Sequence, residues 1–207
     1  MARPSARVHR CNNISSAHWT DVGGGYVGAN LHDCDARGLP LLGCGRGCAD
    51  AYAQLDVTGF RDVPCVYPQI THLRGLLSGY PNATFFLPRR PAAAWARSAL
   101  GVRAMARRLA GCPLGTVSPP PFSSNASLEA ARLEAFYDTV MARARSIIVA
   151  TAARGELRWV EFDITEANAS AIVAAAVPGS DPGCWGRANA ARPPTREVAA
   201  RDANFSS

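Results

Sequence analysis

The residues best equipped to do chemistry sit where an apolar run meets a helix. Thr84-Phe85-Phe86-Leu87 is continuous and apolar, Pro88 ends it, and Arg89-Arg90-Pro91 lead into a helix from about Ala92. An arginine at the carboxyl end of a strand can hold a phosphate through two parallel N–H donors. Ser98 follows eight residues after Arg90, roughly two helical turns on, where its hydroxyl would face the same anion. A basic turn with a solvated serine is the competing reading of that spacing. A second constellation is Cys34, Cys44 and Cys48 with His32. It lacks the paired C-x₂-C knuckles of structural zinc sites, and its glycine flanks suit a disulfide loop better. The expectation is therefore no metal.

Seven cysteines and five N-x-[ST] sequons, at Asn13, Asn82, Asn125, Asn168 and Asn204, point to the secretory lumen. Up to three disulfides and one leftover thiol are expected there, with reduced cytosolic thiols as the alternative. Met1-Ala2-Arg3-Pro4 is basic but no apolar segment of a signal peptide follows it. A luminal protein with that beginning would be a fragment. No apolar run reaches the roughly 18 residues of a membrane helix, so a membrane is expected only through an N-terminal anchor outside the sequence.

The basic residues number 22 and are all arginine, and the net charge is +6. That charge favours anionic partners, but it is spread along the chain without a basic run. The sequence therefore carries no nucleic-acid signature. A hydrophobic content of 48% over 207 residues excludes a disordered chain.

The elements that must position these groups form one domain over residues 1–190, with a polar tail at 191–207. Residues 1–50 read as Gly/Cys-rich loops with strand-like pieces around Ser16–Trp19 and Leu39–Leu42, and a short helix is placed at Ala49–Leu55. Asp62–Tyr67 reads as a short strand or the approach to one. Ile70, Leu73, Leu76 and Leu77 have helical spacing. The apolar run 84–87 suits a strand buried on both faces. Residues 113–127 are a Pro/Ser-rich loop. Leu128 to about Arg154 is a long helix with Gly155 as its cap, Leu157–Ile164 is a strand, and Ala167–Val177 is helical. Strand and helix alternate, which predicts an α/β fold: a parallel sheet in three layers, flanked by helices, with ligands at the carboxyl ends of the strands.

The segment from Thr84 to Ser98, with Arg90, Trp95 and Ser98 in order, resembles the 3′-phosphate-binding segment of sulfotransferases. The resemblance continues through Cys65-Val66-Tyr67-Pro68, Arg107–Cys112, the long helix, Glu161–Ile164 and Cys184–Asn189, and spans roughly residues 11 to 190. The series is similar to a group of sulfotransferase-like proteins found in algae and other microbial eukaryotes. The resemblance implies a P-loop nucleotide-binding fold. It also implies sulfuryl transfer from 3′-phosphoadenosine 5′-phosphosulfate to a hydroxyl or amine, often on a carbohydrate, in the Golgi lumen. No metal is required.

By that resemblance Arg90 and Ser98 hold the 3′-phosphate, and Trp185 and Arg187 belong to a loop near the nucleotide. Arg89 stands where the family has a small or apolar residue. His18 is the first choice for the catalytic base that deprotonates the acceptor, with His32, Asp56 and Asp62 behind it. A packed or surface side chain is the plainer account of each. The family's N-terminal Gly-rich loop for the 5′-phosphosulfate has no counterpart here, because Gly23-Gly24-Gly25 has no basic residue placed to reach a sulfate. The domain is therefore expected to be N-terminally truncated. A catalytically inactive domain that binds anionic glycans or nucleotides is the alternative.

Overall fold

Leu133, Phe136, Val140, Ala144, Ile147 and Ile148 recur at helical spacing, and that stripe organises the molecule. They lie on α6 (Ala126–Ala152), a helix of 27 residues in the computed structural model. The structure describes residues 9–11, 14–18, 27–42, 51–53, 65–102, 105–115, 117–155 and 157–185. The Asn125 side chain caps α6 by accepting the Leu128 N–H at 3.0 Å. Buried Glu129 accepts the N–H of Ser123 at 2.7 Å, which ties the Pro/Ser-rich loop to the first turn. The C-cap is Ala153 and not Gly155; Gly155 lies two residues on, with a φ of 90°, and its N–H donates to the Ala152 carbonyl at 2.9 Å.

The stripe serves two cores. Its first half, Leu133 and Phe136, packs against Ala96 and Ala99 of α4 (Ala92–Gly101) and Ala106 and Leu109 of α5 (Met105–Ala110). A disulfide between Cys65 and Cys112, 47 residues apart, closes this half. Cys34, fully buried, is also disulfide-bonded. The second half, Ala144, Ile147 and Ile148, packs on Leu73 and Leu77 of α3 (Leu73–Gly79) and on Leu87. A small third cluster joins Leu31 of α1 (Val27–Ala36) to Leu41 and Leu76.

Leu87 belongs to β4 (Thr84–Arg89), which pairs in parallel with β5 (Arg158–Asp163). The register runs from Thr84 opposite Arg158 to Arg89 opposite Asp163. Helices α4, α5 and α6 form the crossover between the two strands. After β5 come α7 (Ala169–Ala176) and a 3₁₀ turn (Pro182–Trp185). A separate sheet holds β1 (His9–Cys11), antiparallel to β2 (Ile14–His18), with β3 (Ala51–Ala53) parallel to β2. The fold is thus mixed α/β with a small two-stranded parallel sheet and helices.

Several expectations are corrected. The described strands fall into two sheets, not one layered sheet. β4 is not buried on both faces: Leu87 is buried, while Phe85 and Phe86 are half-exposed, because a pair of strands offers only one well-covered face. The helix placed at Ala49–Leu55 contains β3 instead, since pairing with β2 outweighs the helix propensity of alanine. Leu39–Leu42 is a turn whose Leu41 is buried, not a strand. The helix at 70–79 is divided at His72 into α2 (Pro68–Thr71) and α3. Helix α1 stands where loops are expected: Val27, Leu31 and Cys34 have helical spacing and are all buried. Among the described residues, no helix is long and apolar enough to cross a membrane.

Candidate functional site

The backbone at the exit of β4 is held by groups from three elements. The Ile164 N–H donates to the Arg89 carbonyl at 2.8 Å, carrying the strand pairing one step past β5. The Arg90 N–H donates to Tyr137 Oη on α6 at 3.1 Å. Tyr137 in turn stacks on Trp95 of α4, with ring centroids 5.2 Å apart. Pro91 takes the N-cap position of α4, immediately before its first turn. An aromatic pair and a strand partner thus fix where the turn points.

The two adjacent arginines have different surroundings. Arg89 Nε lies 2.8 Å from Glu161 Oε1. This is ion-pair distance without hydrogen-bond alignment, since that oxygen accepts no hydrogen bond. Arg145 Nε, from α6, donates to Glu161 Oε2 at 2.9 Å. The Glu161 side chain is 16% exposed and the two guanidinium side chains are 54% and 57% exposed. Asp163 is the register partner of Arg89. Its carboxyl is held below the usual carboxylate range, first by the Thr165 hydroxyl, then by the Thr165 N–H, and more weakly by the Arg89 charge. Arg90, half-buried, makes no side-chain hydrogen bond or ion pair among the described residues. One guanidinium therefore stands unpaired at the carboxyl end of two parallel strands, a position suited to a single anion.

The other candidates are placed as follows. Ser98 is exposed in the second turn of α4, and no hydrogen bond joins it to Arg90. His18 ends β2, opposite Ala53, in the other sheet. Trp185 accepts the Ser170 hydroxyl at its carbonyl at 2.6 Å, which fastens the 3₁₀ turn to α7. Its indole Nε1–H is buried without a partner. His32 is exposed on α1 and meets His72 edge to face at 6.3 Å. His72 lies 3.4 Å from Asp35, and burial, the largest influence, pulls its pKa down. Arg187, Asp56, Asp62, Cys44 and Cys48 lie outside the described residues. Cys34, being disulfide-bonded, supplies no thiolate to a metal, and among the described residues no three acidic, histidine or cysteine side chains form a ligand set.

Two residues of this site were not singled out from sequence, Tyr137 and Glu161. Tyr137 lies among the apolar residues of α6, where sequence alone reads it as packing. Glu161 shares a strand face with Trp159, which packs into the second core. A carboxylate on the core-facing register of a strand needs a partner, and that was the available signal. Compared with protein-family models, curated proteins and solved structures, the chain matches none.

Proposed function

We propose that the chain is a sulfotransferase-like domain whose Arg90 turn binds the 3′-phosphate of 3′-phosphoadenosine 5′-phosphosulfate. In this reading the parallel pair β4–β5 is part of a P-loop type nucleotide-binding fold. The acceptor is a hydroxyl or amine, with a carbohydrate in the secretory lumen as the favoured class. The observation that carries the reading is the unpaired Arg90 guanidinium at the end of the parallel pair, in a turn fixed by Tyr137 and Trp95. Ser98 adds an uncommitted hydroxyl on the following helix. The disulfide Cys65–Cys112 accords with an oxidising compartment.

Binding without transfer is the second reading, and one observation favours it. The carboxylates at the sheet end are already engaged, Glu161 by two arginines and Asp163 by Thr165, so neither is free to take an acceptor's proton. Thermal unfolding with adenosine 3′,5′-bisphosphate tests the shared part. The ligand raises the melting temperature of the wild type and of Arg89→Ala, and Arg90→Ala abolishes the rise. An unchanged rise in Arg90→Ala would overturn the assignment. Transfer of labelled sulfate to a glycan mixture then separates the two readings.

A further inference from the structure

We infer that Asn82 carries an N-linked glycan, at the end of the β4–β5 pair opposite the Arg90 turn. The inference rests on the luminal compartment of the reading above and not on nucleotide binding. Three sequons lie among the described residues: Asn82-Ala83-Thr84, Asn125-Ala126-Ser127 and Asn168-Ala169-Ser170. All three asparagines are exposed, so exposure does not choose between them. Local structure does. Asn125 and Asn168 are the N-caps of α6 and α7, and the other two residues of each sequon lie in the first helical turn. The Asn125 carbonyl oxygen already accepts the Leu128 N–H, and the Ser170 hydroxyl donates to the Trp185 carbonyl. A transferase must grip the asparagine together with the hydroxyl two residues on, and residues two apart in a helix do not face each other. Helical turns also form locally and fast, so these two sequons close early.

Asn82 is placed differently. The Ala83 N–H donates to the Tyr80 carbonyl at 3.0 Å, which puts Pro81 and Asn82 at the two corners of a turn. The Asn82 amide and the Thr84 hydroxyl make no hydrogen bond among the described residues. The groups that complete this region arrive late in the chain. Thr84 stands opposite Arg158 in the parallel register, and the Arg158 guanidinium donates to the Asn82 carbonyl from 76 residues away. Pairing over such a separation is slow, so the sequon stays open while the rest of the chain is made. Asn82 also has threonine in its sequon where the other four have serine. The β-methyl of threonine restricts the rotamers that present its hydroxyl. In the transfer, Asn82 Nδ2 bonds to the anomeric carbon of an oligosaccharide held on a lipid diphosphate. The carbon–diphosphate bond breaks, the diphosphate leaves with the electron pair, and the amide gives one proton to a base of the transferase. Strand β4, 6 residues long, spans roughly 20 Å, so the glycan leaves the Arg90 turn open.

Mass spectrometry of the full chain, purified from its own cells and treated with peptide-N-glycosidase in heavy-oxygen water, tests the inference. The glycosidase turns a glycosylated asparagine into an aspartate marked with heavy oxygen. Trypsin, cutting at arginine, places the three sequons in separate peptides, 75–89, 109–132 and 159–187. The mark is expected at position 82, with Asn125 and Asn168 marked less. Thr84→Ser, made in the same cells, lowers the mark at 82, and Thr84→Ala abolishes it. An unmarked Asn82 in the wild type overturns the inference, and so does a mark that survives Thr84→Ala. Its two failures differ. A mark at Asn125 or Asn168 with none at Asn82 leaves the luminal compartment standing. All three unmarked, with Cys65 and Cys112 alkylated as free thiols, overturns the compartment as well. The response of Arg90→Ala to adenosine 3′,5′-bisphosphate is independent of either.

Discussion

The two ends of the long helix α6 hold their surroundings by different physics. Around its first half, α4 and α5 bury Ala96, Leu109 and Leu133 almost completely, and the Cys65–Cys112 disulfide joins segments distant in sequence. Around its second half, β5 and α7 contain no buried residue at all. There, Trp159 and Leu157 lie partly buried against the Leu73–Leu87–Ile147 core, and strand register, the Arg89–Glu161–Arg145 contacts and the Thr165–Asp163 hydrogen bonds add to that packing. Helix α7 is almost wholly apolar, yet Ile172 and Val173 are only half-covered. The candidate site lies at the junction. Tyr137 and Trp95 anchor it to the well-packed side, while its charges belong to the thinly packed one. A turn built this way has a backbone held from several sides and side chains that stay accessible.

The comparison can be broken most directly at the disulfide. Replacing Cys65 and Cys112 by alanine releases a closure of 47 residues, and the chain-entropy relation gives a loss of about 4 kcal/mol. Denaturant unfolding should show it as a large drop in midpoint. Next, Leu133→Ala removes a side chain with no exposure and should cost about 3 kcal/mol, whereas Ile172→Ala in α7 should cost about 1 kcal/mol. Equal losses at the two positions would erase the distinction between the halves. Native-state hydrogen exchange sharpens it: amides of β5 and α7 should exchange through local opening, while those near Leu133 exchange only with global unfolding.

The smallest effect is one of pH, at the contact of α1 with α2 and α3. Burial lowers the His72 pKa, the nearby His32 adds to this, and Asp35 opposes it. The unfolded chain therefore binds the proton first. The associated stability is present above the ordinary histidine pKa of about 6.5 and is lost as pH falls through it. Melting temperature measured from about pH 7.5 to about pH 5.5 should decline, and His72→Gln should flatten the decline. An unaltered slope in that variant would remove His72 from the account.

Much of the scaffold was legible in the chain. The stripe of α6, the helix after Pro91, the strands at 84–89 and 158–163 and the Pro/Ser-rich loop all follow from periodicity and turn residues, which are local properties. What escaped was decided between distant segments. β3 forms because β2 lies alongside it, and α1 is helical in a stretch whose glycines and cysteines hid three apolar residues at helical spacing.

The turn itself shows the same division. Sequence placed two identical arginines next to one another after an apolar strand, and the spacing to Trp95 and Ser98 favoured Arg90 only through a family pattern. Tertiary structure supplies the physical difference between them. The parallel register sets Glu161 and Asp163 on β5 beside Arg89, and α6 brings Arg145 to the same carboxylate and Tyr137 to the backbone of Arg90. Local propensity can form a strand, a turn and a helix. Which of two neighbouring charges is neutralised depends on partners some 70 residues away, brought alongside only by strand pairing.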